Sequence, residues 1–317
     1  MIEGTSQNSV RDDARLCVAG LSYFEVFLPS RELDVSPGRE RFVDHIGVGL
    51  GGVLNSASVT AALGIDTSVA HPRGEGLTDI AIAQRCQQMN ITACHWPAAD
   101  DPAISLVQSA RGDRAFVSRA DYPALEQCPP LLGFDWIHVP GLEEARRLGS
   151  RLAEARRQGA TISACGSWAP DRLDELVDSE PGPWDLFVVN AQEARRAAPD
   201  CPSRRHRLRA LSQVADSVII TDGPDTIHAL LSGHYLTVDV PGVDRFVDAT
   251  GAGDAFAAGF IAASLRELSP PDSLEFAVEV SRRIVCQHGG VVDQESALHA
   301  LADRLSSNAP QKRENTP

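Results

Sequence analysis

Short apolar, β-branched runs recur along the chain at Leu16–Ala19, Thr67–Ala70, Trp136–Val139, Thr161–Ala164, Leu186–Val189 and Ser217–Thr221. Longer stretches with helical patterning lie at 53–63, 77–89, 142–158, 191–198, 204–214, 254–267 and 272–287. Strands that alternate with helices need crossover connections, so the pattern predicts one α/β domain whose mainly parallel sheet is covered on both faces. Two segments break the alternation, at about 23–46 and 101–120. In the second, Ile104–Ser109 and Arg114–Arg119 flank Ala110-Arg111-Gly112-Asp113 as strands flank a hairpin turn. Together they predict a small sheet projecting from the main domain, a lid or an edge decoration.

The chain has 317 residues, 43% of them hydrophobic, which is ordinary for a soluble core of this size. Residues 1–14 and 306–317 are polar and predict disordered arms on a domain spanning 15–305. No signal peptide, lipid anchor or bilayer-spanning run is visible. Seven cysteines are scattered singly, which fits reduced thiols in a cytoplasmic protein. A formal charge of −14 argues against nucleic acid as a partner, and Arg204-Arg205-His206-Arg207 reads as a solvated helix face. Lys312, in the tail, is the only lysine. That excludes a Gly-Lys-Ser/Thr phosphate loop, a pyridoxal Schiff base and the strand lysine of protein kinases. Any phosphate must be held by backbone amides, arginine and metal.

Against that background Asp248-Ala249-Thr250-Gly251-Ala252-Gly253-Asp254-Ala255-Phe256 stands out. Small residues at a strand-to-helix junction let backbone N–H groups approach an anion, and a helix N-terminus adds about half a positive charge. Asp254 in the first turn is placed to accept a proton from an attacking hydroxyl; its bland alternative is an Asp N-cap. Gly47-Val48-Gly49-Leu50-Gly51-Gly52 contains the Gly-x-Gly-x-x-Gly of dinucleotide sites, with Asp66 downstream. However, the first strand is Leu16–Ala19, and Asp66 precedes its strand instead of ending it. The same stretch also lets Gly51, Gly52 and Asn55 meet the hydroxyls of a polyol, or forms only a Gly-rich turn. Asn190-Ala191-Gln192-Glu193 opens a helix as a capping box, or places Asn190 near phosphates and Glu193 at the water shell of Mg²⁺. Thr221-Asp222-Gly223 ends a strand and, by itself, is a turn.

In order and spacing, these pieces resemble the ribokinase-like (PfkB) carbohydrate kinases. Gly51-Gly52, Asn55, Ala57, Gly64 and Gly74 match the family's N-terminal pattern, Asn190 and Glu193 its Asn-x-x-Glu, and Asp248 through Asp254 its Asp-x-x-Gly-Ala-Gly-Asp. The resemblance implies a three-layer α/β/α sandwich with a mostly parallel central sheet, and a small β lid that closes over a sugar and often supplies a dimer interface. It implies Asp254 as general base and Gly251, Ala252 and Gly253 as an anion hole. It places Asn190, Thr221, Gly223 and Gly253 near ATP, with Glu193 acting on Mg²⁺ through water. Asp248 and Thr250 would lie near a monovalent cation, K⁺ being the candidate.

Departures concern the substrate. Glu25, with Tyr23 and Phe24 beside it, stands where the family commonly has an Asp that grips sugar hydroxyls. Val53, Ala249 and Gly74-Glu75-Gly76 are also unusual, and Ser163-Ala164-Cys165-Gly166-Ser167 replaces the Asp-x-Asn-x-Arg of several sugar-acid kinases. A sugar or sugar-like acceptor is the leading expectation. Tyr23, Phe24 and Phe27 offer apolar faces to a nucleoside base as the alternative. A non-catalytic metabolite sensor and an NAD-dependent oxidoreductase are the readings from other classes.

Overall fold

The computed structural model describes residues 14–28, 38, 40, 42–43, 46–98, 103–110, 113–167, 169–178, 182–287, 289–292 and 298–307. The expected N-terminal arm therefore lies outside the described residues, apart from Ala14. So do most of the expected tail and the central part of the first lid segment.

The chain opens with β1 (Arg15–Ala19), β2 (Ser22–Leu28) and β3 (Gly47–Gly52), then α1 (Val53–Ala62), β4 (Asp66–Arg73), α2 (Leu77–Gln88) and β5 (Thr92–Pro97). A hairpin of β6 (Ala103–Ala110) and β7 (Asp113–Ala120) follows, then β8 (Trp136–Val139), α3 (Leu142–Arg147), α4 (Gly149–Arg157), β9 (Thr161–Cys165) and α5 (Pro170–Asp174). After β10 (Trp184–Asn190) come α6 (Ala191–Ala197), α7 (Arg204–Leu211), β11 (Ala215–Thr221), β12 (Ile227–Leu231) and β13 (His234–Val238). Three helices close the chain: α8 (Ala252–Leu265), α9 (Pro270–Ile284) and α10 (His299–Ser307). Every core strand anticipated from the sequence is present, and 142–158 is two helices meeting at Leu148. Tail residues Ser306 and Ser307 belong to α10.

The large sheet has nine strands in the order β13-β12-β11-β10-β9-β8-β1-β4-β5, parallel except for the pairings of β12 with β11 and β13. Side chains alternate across it, as strand geometry requires. Leu16 and Val18 enter one core with α1, α2, α8, α9 and α10, while Cys17 and Ala19 enter the other with α3, α4, α6 and α7. Both faces are thus covered, which is why the parallel strands are mostly apolar, with His138 and Ser163 buried among them and bonded to each other. Gly259 lets α9 approach α8, since a Cβ there would stand 3.0 Å from the Ala277 Cα.

The lid is the four-stranded sheet β3-β2-β6-β7. Its composition corrects the reading of Gly47–Gly52, which is a strand antiparallel to β2 and neither a Gly-rich turn nor the phosphate turn of a dinucleotide site. Tyr23, Glu25 and Phe27 face Gly51, Gly49 and Gly47 in register. A Cβ on Gly49 would meet the Phe27 ring at 2.8 Å, and one on Gly51 would collide with Glu25 Oε1. The alternating glycines therefore make room for the side chains of β2 lying across β3. No helix among the described residues is long and apolar enough to cross a membrane.

Candidate active site

The C-terminal ends of the parallel strands and the N-termini of the following helices converge on one cleft, the expected ligand position for an open α/β sheet. It encloses about 210 Å³ and is lined by Asn190, Glu193, Thr221, Gly251, Gly253 and Asp254 among others. Residues that the sequence placed in separate motifs are therefore brought to one place.

Gly251 is the N-cap of α8 with φ 72°, and a Cβ there would stand 2.4 Å from the Gly290 Cα, so only glycine fits. This corrects the N-cap alternative for Asp254, which is the third residue of the helix and makes no capping bond. Its Oδ2 instead accepts a 2.9 Å hydrogen bond from Asn55 Nδ2. Protein surrounds the Asp254 carboxyl while leaving it open to the cleft, and desolvation raises its pKa to about 6 against the opposing bond from Asn55.

Of the three expected anion-hole donors, Gly251 and Gly253 line the cleft, and a Cβ on Gly253 would meet nothing within 4 Å. The Ala252 N–H is shared with Ala249 O at 3.2 Å. First-turn amides of a helix lack intrahelical acceptors, and the space above Gly253 is open.

Asn190 caps α6 by accepting from the N–H groups of Gln192 and Glu193, each at 2.9 Å, while Glu193 Oε2 accepts from the Asn190 N–H at 2.9 Å. The capping box is complete, and its helix N-terminus still opens on the cleft. Glu193 is buried, and desolvation raises its pKa. Gly166 provides the room, because a Cβ there would stand 2.6 Å from Glu193 Oε2. Thr221 reaches the cleft, whereas Gly223 lies past it in a turn with φ 57°. Asp248 braces the loop: Oδ1 accepts from Thr250 N and Oγ1 at 2.9 Å each, and Oδ2 from Gly289 N at 3.0 Å. Among the described residues no group of three or more His, Cys, Asp or Glu is placed to hold a metal directly.

Sequence reasoning missed Glu144, a buried carboxyl at the start of α3. Its Oε1 accepts from the Leu21 N–H at 2.9 Å, and Gly20 and Gly141 leave space for it. Burial, with Asp254 and Glu143 adding to it, raises its pKa to about 7. Two glycines at strand-to-loop junctions, Gly20 and Gly141, were its only signal in the sequence, and they do not name their partner. The cleft also takes in Pro140, Cys165 and Ser167.

Comparison with known proteins identifies the fold and the family. A curated relative, 2-dehydro-3-deoxygluconokinase of Escherichia coli strain K12, is 22% identical over 186 residues, covering 53% of this chain and 60% of the relative. The chain thus aligns with little more than half the length of that protein. Among solved structures, the nucleoside kinase of Methanocaldococcus jannaschii superposes with a TM-score of 0.73 at 13% identity, covering 92% of this chain and 98% of that one. A protein described as ribokinase II of Escherichia coli, in complex with ATP and Mg²⁺, superposes with a TM-score of 0.68 at 15% identity, covering 93% and 99%. The fold is therefore ribokinase-like. The pfkB family carbohydrate kinase signature runs through residues 13–297, and with lid, cleft and ordered motifs all inside that span, the chain belongs to the pfkB family of carbohydrate kinases.

Proposed function

We propose that the chain is an ATP- and Mg²⁺-dependent kinase that phosphorylates a hydroxyl of a sugar or sugar-like molecule. The observation that carries this is Asp254, a desolvated carboxylate in the first turn of α8, gripped on one oxygen by Asn55 and open to a cleft edged by glycine amides. Asp254 accepts the hydroxyl proton late, as the oxygen bonds to phosphorus, and a carboxyl raised to about 6 is largely ionised at neutral pH while more basic than an exposed Asp. Amides of Gly251 and Gly253, assisted by Ala252, stabilise charge on the transferred group. Such a cradle fits a nucleotide because the space over Gly253 is open and the N-termini of α6 and α8 share the cleft. Asn190 and Thr221 would hold the nucleotide, with Gly223 behind them, and Glu193 would order water on Mg²⁺. When bound, the metal neutralises phosphate charge. Glu25, Gly51, Gly52 and Asn55 form the acceptor end.

The test is ADP release and product mass with ATP and a panel of sugars, polyols and nucleosides. Asp254→Asn should lower kcat by at least about 10² while ATP binding persists; an unchanged kcat sinks the assignment. A nucleoside acceptor is the second reading, favoured because Tyr23 and Phe27 lie on the same lid face as Glu25. A non-catalytic sensor would bind ligand without turnover.

Four subsidiary readings accompany this one. A single kinase domain spans 15–305. A monovalent cation such as K⁺ sits beside the Asp248–Thr250 loop, checked by KCl titration of the rate. The seven free cysteines suit a reducing, cytoplasmic setting, checked by cell fractionation. A second copy of the chain covers the outer lid face, where Val48, Val26, Leu106 and Val117 are aligned across all four strands and three of them are well exposed. Neither nucleic acid nor membrane is proposed as a partner.

A further inference from the structure

A second cavity, of about 380 Å³, adjoins the catalytic cleft. The two share walls but no lining residue. Asn190, Glu193 and Thr221 line the cleft, whereas Ala194 and Arg195 of α6, with Ile220 and Asp222 at the end of β11, line the second cavity. α7 completes it with its cap Ser203 and with Arg204 and Arg207. Three guanidinium groups therefore meet one carboxylate, in a chain whose formal charge is −14. The solvated face expected of Arg204-Arg205-His206-Arg207 holds for Arg205 and His206, while Arg204 and Arg207 are half-buried. Arg205 turns to the Tyr235 ring, 4.9 Å from its centroid.

Only part of this positive charge is answered. Arg204 pairs with Asp222 and reaches His228 Nε2 at 3.5 Å. Arg195 donates from Nε to Ala191 O at 3.0 Å, which pins its stem along α6. Arg207 Nε is buried and has no acceptor among the described residues, a costly state for a charged donor. The first turn of α7 holds arginines and no acid, so they add to the positive end of the helix, where a carboxylate normally sits. Local preference is overruled there, as happens where a site serves function.

We propose that this cavity binds a small phosphate monoester, and that its occupancy weakens nucleotide binding in the neighbouring cleft. Guanidinium forks match the oxygens of a phosphate, and Arg195 and Arg207 offer theirs from two different helices. A volume of about 380 Å³ is more than a bare phosphate fills and lies within the range of small-molecule sites, so the organic part of the ester occupies the remainder. Coupling runs through Arg204. Its ion pair braces Asp222, the residue between Thr221 and Gly223, which the kinase reading sets beside the nucleotide. A phosphate competes for the Arg204 guanidinium, Asp222 loses its cation, and the turn is released. By linkage the nucleotide weakens the monoester by the same factor. The coupling rests on the kinase reading, and the site itself does not.

The experiment is titration calorimetry of the full chain with glycerol 3-phosphate, glucose 6-phosphate and, as the free-anion control, inorganic phosphate. We expect saturable binding of a monoester, with Kd raised at least about tenfold by Arg195→Gln with Arg207→Gln, through loss of two charged hydrogen-bonding groups. Should the double variant lose its melting transition, Arg207→Lys alone keeps the charge, loses the fork, and should weaken binding at least about threefold. Asp222→Asn removes the competing carboxylate and should tighten it. Gly253→Ala, in the proposed phosphoryl cradle, should leave it unchanged. Absence of saturation, binding unmoved by the folded arginine variants, or binding lost with Gly253→Ala overturns the site, and inorganic phosphate binding as tightly as either ester overturns the assignment to a monoester. For the coupling, the Kd of a non-hydrolysable ATP analogue should rise about fivefold to a plateau as the monoester saturates. A flat response, or a linear rise without limit as competition inside the cleft would give, overturns it. A chain that binds no ATP analogue counts against the kinase reading, and the monoester titration still decides the site.

Discussion

Asn55 Nδ2 donates to Asp254 Oδ2 at 2.9 Å across 199 positions of sequence. The bond joins the third residue of α1 to the third residue of α8, so the N-termini of these two helices are held together through the proposed base. Ser56 Oγ adds a longer contact to Asp254 O, at 3.4 Å, on the same pair of helices. This link gives the N-terminal motif a direct role in the electrostatics of the C-terminal one.

The pH dependence of catalysis follows from it. With Asp254 raised to about 6, kcat/KM should rise with pH through an acid limb near that value. Asn55 stabilises the ionised form, so Asn55→Ala should move the limb to higher pH and lower kcat/KM at pH 6 by about tenfold. A pH–rate profile of both proteins checks this, and an unmoved limb separates Asn55 from the base.

Stability should run the other way. Folding raises the Asp254 carboxyl from 3.8 to about 6 and Glu144 from 4.5 to about 7, so the native state binds protons more tightly than the unfolded chain. Their favourable contribution is fully present below the unfolded values and is lost as pH rises through about 6 and 7. Asp254→Asn and Glu144→Gln should therefore gain melting temperature relative to the parent between pH 4 and pH 8. Thermal unfolding across that range reads the difference, and parallel curves contradict it.

Two neighbouring glycines should respond differently to the same added methyl. Gly251→Ala forces a side chain into φ 72° and onto Gly290, and should cost about 1–3 kcal/mol of stability. Gly253→Ala meets no protein atom within 4 Å, so the fold should be kept while the methyl enters the proposed phosphoryl cradle. Loss of kcat without loss of melting temperature, seen only for Gly253→Ala, is the expected pattern.

The outer lid face offers a fourth test. Val48 is 67% and Val117 72% exposed, on the row that crosses Val26 and Leu106. Aliphatic side chains aligned across four strands form a continuous apolar strip that water solvates poorly. Light scattering of the purified chain should give the mass of a dimer, and Val48→Asp with Val117→Asp should give that of a monomer. A parent chain that is monomeric at micromolar concentration removes the proposed partner.

Much of this was legible before folding. β-branched runs gave the six contiguous inner strands β11, β10, β9, β8, β1 and β4 because a parallel sheet buried on both faces admits little else, whereas the flanking β5, β12 and β13 were not anticipated; Asp248–Asp254 marked its helix N-terminus through small residues alone. The lid glycines were misleading for a physical reason. Gly49 and Gly51 are small because the side chains of Phe27 and Glu25 lie across them, and a cross-strand neighbour 22 or more positions away in the chain leaves no local trace.

By itself, the sequence determined the alternation of strands and helices, the lack of a phosphate-binding lysine, and the two motifs, at Asn190–Glu193 and Asp248–Asp254, whose residues line the cleft. Each is a local property, fixed by side-chain size, charge and spacing. Tertiary structure alone decided that Asn55 grips Asp254, that Gly251 rather than Asp254 caps α8, and that Glu144 is buried beneath Leu21 within electrostatic reach of Asp254. These are contacts between distant segments, and their energies depend on desolvation, which exists only once the chain has closed around them.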